Sequence, residues 1–298
     1  VTIGAASRPD FFRAPARHEL SRGERNQLAQ LGIDGPFVFN LGGMDDRKNL
    51  TTLLQAFRLL PATVQDAHQL VVTCAMQKSE VAAVRRQARQ VGIHDRLVLT
   101  NATTAADLRL LYQRCAAFVF PSTYEGFGLP ILEALHCGAP VVAGNNSSQP
   151  EVVGRAGLLA EANDAADVAR QLYRVLTDTD ESERMRRAGP VQAATFSWEE
   201  TAKTAWQALA PPRQLPVSRI PRSIDRRPRI AFFAPLPPKR SGIADYSMSL
   251  LDELKSHFVI DLYHEPGYEP EAGLAHGEFA CRDYRLFKRF DRALQYHE

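Results

Sequence analysis

The sequence predicts an α/β fold: a doubly wound parallel sheet followed by a partial second α/β unit. Three observations predict it. Short, nearly continuous apolar runs alternate with amphipathic stretches from residue 36 to about 210, as expected where both faces of a parallel sheet are covered. Helix start and stop signals fall between these runs. A stretch rich in proline and arginine at 211–228 then interrupts the pattern, which restarts at 229.

Taken in order, residues 37–41, 70–74, 96–100, 117–120, 141–143 and 157–160 read as strands, and 50–60, 80–91, 105–115 and 129–137 as helices. Thr104 with Asp107 and Ser197 with Glu200 have capping-box spacing or a near variant, and Asp164 is a good N-cap. Gly92 and Gly138 suit helix C-termini. Helices at about 165–177, 180–194 and 198–209 close the domain, so 1–35 is a lead-in and 36–210 the domain itself. The linker 211–228 cannot pack as a helix or a central strand. Beyond it come a strand at 229–234, a loop rich in proline and glycine at 235–242, a helix at 243–254 and a strand at 258–263. One more weakly helical segment ends the chain. An α/β pattern of this length makes only a small sheet, so 229–298 reads as a domain cut short.

Composition bounds the function classes. Of 298 residues 45% are apolar and 23% charged, which suits a globular protein with ample core. A formal net charge of +2 is too small to suggest a polyanion, and no nucleic acid partner is expected. Many arginines crowd between Arg213 and Arg240; a solvated linker explains them, and a surface touching anionic lipid or phosphate is the alternative. Cys74, Cys115, Cys137 and Cys281 lie in apolar contexts without CxxC spacing and read as buried thiols of a reducing compartment. No stretch approaches the roughly 18 apolar residues of a membrane helix. The expected location is cytoplasmic, with peripheral contact at the inner face of the membrane through the basic linker. No signal peptide is expected, and the chain opens on Val1 in what reads as the middle of a longer sequence, so a fragment is expected.

The chemistry concentrates in two segments. In 118–142 a strand ends at Pro121, a loop carries Gly126 and Gly128, and a helix opens with Pro130 in its first turn. The glycines let backbone approach a ligand, and the amides of Phe127, Gly128 and Leu129 at a helix N-terminus attract phosphate. Glu133, one turn in, can accept hydrogen bonds from ribose hydroxyls. Glu125, on the opposite lip, would repel a diphosphate and is expected to face sugar hydroxyls or developing positive charge. Alternatively both acids decorate a helix N-terminus, at about 0.3–1 kcal/mol each. In the second segment, 40–50, Gly42 and Gly43 clear space at a strand's carboxyl end, the edge where doubly wound sheets bind ligands. Arg47 and Lys48 place positive charge beside that edge. A cation is disfavoured near a helix N-terminus, and a local misfit of this kind points to function. Asp178 and Asp180 copy a metal-binding pair but sit between two late helices and read as a cap. No histidine spacing suggests a metal site.

On these residues the chain resembles glycosyltransferase family 4 over roughly 1–210: Gly42 and Gly43 with Lys48 and Asn49, Pro121 through Ala134, and Gly138 through Val142. Pro150 and Glu151, the run from Ala156, and the segment from Phe196 to Glu199 also look like that family. The resemblance implies the Rossmann-like, nucleotide-sugar-binding half of a GT-B fold and a retaining glycosyltransferase that needs neither cofactor nor metal. Lys48, with Arg47, would neutralise the diphosphate of a GDP- or UDP-linked donor. Backbone of Gly126 through Leu129 would hold the phosphates, Glu133 the ribose and Glu125 the transferred sugar. Many members carry an arginine where Gly43 stands, and Arg47 is expected to substitute. The Arg47, Lys48, Asn49 run resembles mannosyltransferase-like members, which makes GDP-mannose the first guess. The acceptor would be a glycan or lipid-linked. Residues 230–246 resemble the opening of the acceptor-side domain of a second such enzyme, with Ser241 and Gly242 facing its cleft. The other reading is a nucleotide-sugar-binding or interaction module without catalysis, since the first acceptor domain is missing.

Overall fold

The structure, a computed structural model, describes residues 4–8, 11–15, 20–43, 45–100, 103–208, 227–236, 242–264 and 280–283. The chain divides into two compact units, Ala6–Phe196 and a second made of Ser197–Glu298 with Val1–Ala5.

The larger unit begins with α1 (Arg22–Gln30), β1 (Phe37–Leu41), a 3-10 turn (Asp46–Lys48), α2 (Leu50–Leu59) and α3 (Ala62–Ala67). It continues through β2 (Gln69–Thr73), α4 (Lys78–Val91), β3 (Leu97–Thr100), α5 (Ala105–Arg114) and β4 (Ala117–Phe120). Then follow α6 (Leu129–His136), β5 (Val141–Gly144), α7 (Gln149–Val153), β6 (Leu158–Ala160), α8 (Ala165–Thr177) and α9 (Thr179–Ala193). The six strands form one sheet in the order β3-β2-β1-β4-β5-β6, with every pairing parallel. The order reverses between β1 and β4, where Val38 faces Ala117 and Phe39 faces Phe118. That is the topological switch point of a doubly wound sheet.

Strand residues alternate between two cores, which is why the runs are apolar throughout. Phe37, Phe39, Phe118 and Phe120 join Tyr112, Leu132 and Val153 on one face. Val38, Val119, Leu70 and Val72 join Phe57, Val168 and Leu172 on the other.

Every expected strand and helix of this unit is present, with ends moved by one or two residues. The capping signals act as read. Thr104 and Asp107 form a reciprocal box on α5, the Asp164 carboxylate accepts from the amides of Ala166 and Asp167, and Asp178 caps α9. The sequence reading missed α1, α3 and α7. The first is polar and starts on a reciprocal cap of Ser21 with Glu24; the other two are 6 and 5 residues long.

Gly92 closes α4 in the left-handed region at φ +79°. A methyl there would meet only the Arg58 Nε at 3.8 Å, so Gly92→Ala suffers conformational strain without a clash. Urea titration should show about 1 kcal/mol lost.

The second unit holds α10 (Trp198–Ala208), β7 (Arg229–Phe233), α11 (Gly242–Leu254), β8 (Val259–His264) and β9 (Ala280–Asp283). Its three strands are parallel in the order β7-β8-β9. Buried Asp261 receives two hydrogen bonds from Arg229, at 2.6 and 2.9 Å. Two differences from the sequence reading stand out. The compact unit ends at Phe196, not at 210, because Ala202 of α10 is buried with Leu236, Leu250 and Leu251. And β9 adds a third strand where none was expected. Residues 209–226, Ser241 and the weakly helical end of the chain lie outside the described residues.

Candidate functional site

Two loops leave the sheet at its switch point, 42–49 after β1 and 121–128 after β4. They are stitched together by backbone and small polar groups. The Thr123 amide and the Ser122 hydroxyl both reach the Arg47 carbonyl at 2.8 Å. Asn49 sits in the left-handed region at φ 55°, which asparagine tolerates. Its amide donates to the carbonyls of Pro121 at 3.0 Å and Ala162 at 2.6 Å. That turn aims Lys48 across the gap. Its Nζ stands 2.6 Å from Glu125 Oε1 and 4.8 Å from the centre of the Phe120 ring, with 23% of the lysine side chain exposed. The Ser122 Oγ is also 2.8 Å from the same carboxylate oxygen.

The glycines have specific reasons. A Cβ on Gly42 would lie 2.7 Å from Asn40 Oδ1, whose own amide donates to the Val119 carbonyl; one on Gly43 would press the Lys48 Cγ at 3.4 Å. Gly128 is the N-cap of α6 at φ +101°, so it contributes no side-chain cap. Gly126 is exposed and a Cβ there meets nothing within 4 Å. The Phe127 ring packs edge-on against Phe196 at 5.5 Å, and Leu129 opens the helix with Pro130 behind it. The loop that carries Glu125, the partner of the Lys48 ammonium, thus leads into a helix start with no side-chain cap, and a cation and an uncapped helix start both suit phosphate.

A third loop supports the second, and no sequence motif had pointed to it. Ser147, at φ 50°, accepts the Glu125 amide at 3.0 Å; Ser148 donates to the carbonyls of Glu125 at 3.0 Å and Phe127 at 2.8 Å. The amides of Asn146 and fully buried Gln149 grip the Ser122 carbonyl at 3.0 and 2.7 Å. The polar run 145–149 after a strand is legible as a turn. Its partners are not.

Glu133 lies in the second turn of α6, half-buried, with Oε2 accepting from the Tyr112 hydroxyl at 3.1 Å. Burial pushes its carboxyl up to about 7, and the Tyr112 bond opposes that rise. A raised carboxyl favours the fold most below its unfolded value, and that advantage is lost as pH rises towards 7. Glu133→Gln removes this loss. In denaturant titrations the variant should gain on wild type between pH 5 and 8, by at most about 3 kcal/mol.

Arg47 is turned to Asp45, whose carboxylate accepts from its Nε at 3.0 Å; hydrogen bonds from Arg47 hold the Asp45 carboxyl down at about 2. More than half of the arginine side chain is exposed, so it is within reach of a ligand at the edge without being aimed at Glu125. Lys48 and Glu125 thus meet directly, Gly126 and Gly128 follow Glu125 on the way into α6, and Glu133 lies one turn further along that helix. Among the described residues no three His, Cys, Asp or Glu side chains gather as a metal cage. Cys115 and Cys137 are buried free thiols and Cys74 is half-buried.

Residues 24–192 match the family model described as Glycosyl transferases group 1, more than half of the chain. The serotype-specific mannosyltransferase WbdA of Escherichia coli is 36% identical over 170 residues, 57% of this chain and 21% of that protein. The O-antigen chain mannosyltransferase B of Escherichia coli is 37% identical over 203 residues, 67% of this chain and 51% of its own length. The chain therefore spans between about a fifth and a half of these relatives. Among solved structures, Anabaena Alr3699/HepE in complex with UDP-glucose superposes with a TM-score of 0.58 at 19% identity, covering 69% of this chain and 56% of that one; this shows a shared GT-B fold. With the family model covering the whole switch-point site, this chain belongs to the group 1 glycosyl transferases.

Proposed function

We propose that the chain carries the donor-binding half of a retaining glycosyltransferase of family 4. The enzyme would move a sugar from a nucleoside diphosphate to a glycan or lipid-linked acceptor in bacterial polysaccharide synthesis. The observation that carries the reading is the Lys48 ammonium at the switch point, held at 2.6 Å by Glu125 of the loop that leads into α6. A diphosphate laid there would meet a cation and a helix dipole, and Glu133, one turn into that helix, would take the ribose. As the sugar–phosphate bond breaks, negative charge grows on the leaving diphosphate. Lys48, held in place by Glu125, and the amides of Gly126 through Leu129 would stabilise that charge without reorganising, and Arg47 would add to them on leaving Asp45. No metal is needed in this scheme.

Similarity to two Escherichia coli mannosyltransferases supports GDP-mannose as donor. Residues 229–298 would open the acceptor-side domain of a second transferase. The 298-residue chain alone is expected to bind donor without turnover, since a GT-B enzyme closes two facing domains on it. Among the described residues no helix is long and apolar enough to cross a membrane; work at the inner membrane face would rely on peripheral contact.

A thermal-shift panel of GDP- and UDP-sugars tests the donor, because a ligand of the folded state raises stability by about 2.7 kcal/mol at a hundred times its Kd. GDP-mannose should give the largest shift; a larger one from a UDP-sugar overturns that assignment. Transfer by the full-length protein in EDTA tests the rest. Full-length protein that binds donor and never turns over would instead be a binding module.

A further inference from the structure

We propose that Tyr112 is the positioning residue for Glu133: its hydroxyl proton holds one carboxylate oxygen in place and leaves the other, Oε1, for the ligand. The inference rests on the reading of Glu133 as the ribose acceptor and adds the group that sets its geometry and charge.

Tyr112 lies in the last turns of α5 and is fully buried. Its ring meets Phe12, Phe39 and Phe118 edge-on, at 6.0, 5.2 and 5.1 Å. Phenylalanine would fill that space without bringing a polar atom into an aromatic core. The hydroxyl is tolerated because it has one partner, Glu133 Oε2, at 3.1 Å. For Glu133 the bond matters more. It lies far enough inside for burial to oppose its charge, and the Tyr112 donor is the group that opposes burial. Among the described residues, other titratable groups around the pair add no hydrogen bond to Glu133. Cys137 and His136 lie on its own helix, Cys115 ends α5, and Arg109 stands near Cys137. From α9, Arg186 donates to the carbonyls of Gly138 and Cys115. An ionised carboxylate accepts ribose hydroxyls more strongly than the neutral acid, and the Tyr112 hydrogen bond favours the ionised form against burial.

The test is the titration of Glu133 in the 298-residue chain, read by carbon NMR of labelled glutamate carboxyls and assigned with Glu133→Gln. Tyr112→Phe should move the midpoint up by about one unit, the worth of one hydrogen bond to a charged group. GDP should then bind about fivefold more weakly at pH 7, as the ionised fraction falls, and recover by pH 9. Glu133→Gln should bind weakly at both. A simple loss of packing would not recover with pH. An unchanged midpoint overturns the proposal. A shifted midpoint with GDP binding equal in all three proteins removes Glu133 from the ribose but leaves Tyr112 as the residue that positions it. Should Tyr112→Phe fail to fold, 3-fluorotyrosine in place of tyrosine gives a stronger donor. It must move the midpoint down, and no movement again sinks the idea.

Discussion

Lys48→Ala in the full-length enzyme is expected to lower kcat about a hundredfold or more, the loss typical when one fixed charge-stabilising partner is removed from a reacting centre. The local structure says why no neighbour can replace it. The lysine ends a 3-10 turn closed by Asn49, its ammonium is held by Glu125 at 2.6 Å and lies 4.8 Å from the Phe120 ring, so it waits in one place. Arg47, the nearest other cation in sequence, is committed to Asp45. KM should rise less than kcat falls, because the ammonium matters most as charge develops on the leaving group. The fold should change little, since the pair lies at the edge of the sheet and not in either core. Combining Lys48→Ala with Glu125→Gln isolates the pair. If the ammonium acts on the diphosphate, the double variant should be no better than Lys48→Ala. A double variant restored towards wild-type kcat would mean that Lys48 merely neutralises Glu125. Single-turnover rates at saturating donor make the comparison.

Much of this was legible in sequence, and the parts that were not share a cause. Strand runs such as 117–120 are read correctly because period and composition are local. Gly128 and Pro130 mark the start of α6 because left-handed backbone and a missing donor are local too. Even the meeting of Lys48 with Glu125 was open to inference, since a doubly wound sheet puts the ends of β1 and β4 side by side. The supporting groups could not be read in that way. Ser147, Ser148 and Gln149 act on Ser122, Glu125 and Phe127 from more than twenty residues away, and serine or glutamine in a loop carries no directional signal. Spacing marks Tyr112 only as a buried position on α5; that its hydroxyl meets Glu133 depends on how α5 packs beside α6. Likewise α10 has ordinary amphipathic spacing, which says that a face is buried and not against which sheet.

Gly144→Ala should be the most destabilising single methyl in the larger unit that also reaches the site. Gly144 ends β5 at the point where the third loop begins. A Cβ there would stand 2.7 Å from the Ser122 carbonyl, 2.7 Å from the Asn146 amide and 2.9 Å from the Gln149 amide. All three belong to one hydrogen-bonded knot, and the Gly144 amide itself donates to Gln149 Oε1 at 3.1 Å. The Ser122 carbonyl is backbone of a buried residue, so the amides must withdraw. Gln149 is fully buried, and its polar ends would then go unsatisfied. Overpacking costs about 1–3 kcal/mol and a stranded buried amide about as much again. For a unit of this size the sum corresponds to a fall in Tm of roughly 5–15 °C. The clamp on Ser122 would loosen with it, and Ser122 is what Glu125 and the Arg47 carbonyl lean on, so GDP binding should weaken at temperatures where the protein is still folded. Gly126→Ala is the control for stability: its methyl meets nothing within 4 Å and should leave Tm in place. If Gly144→Ala melts with wild type, the three-loop knot is soft, and the fixed Lys48–Glu125 geometry must be held by the 42–49 turn alone.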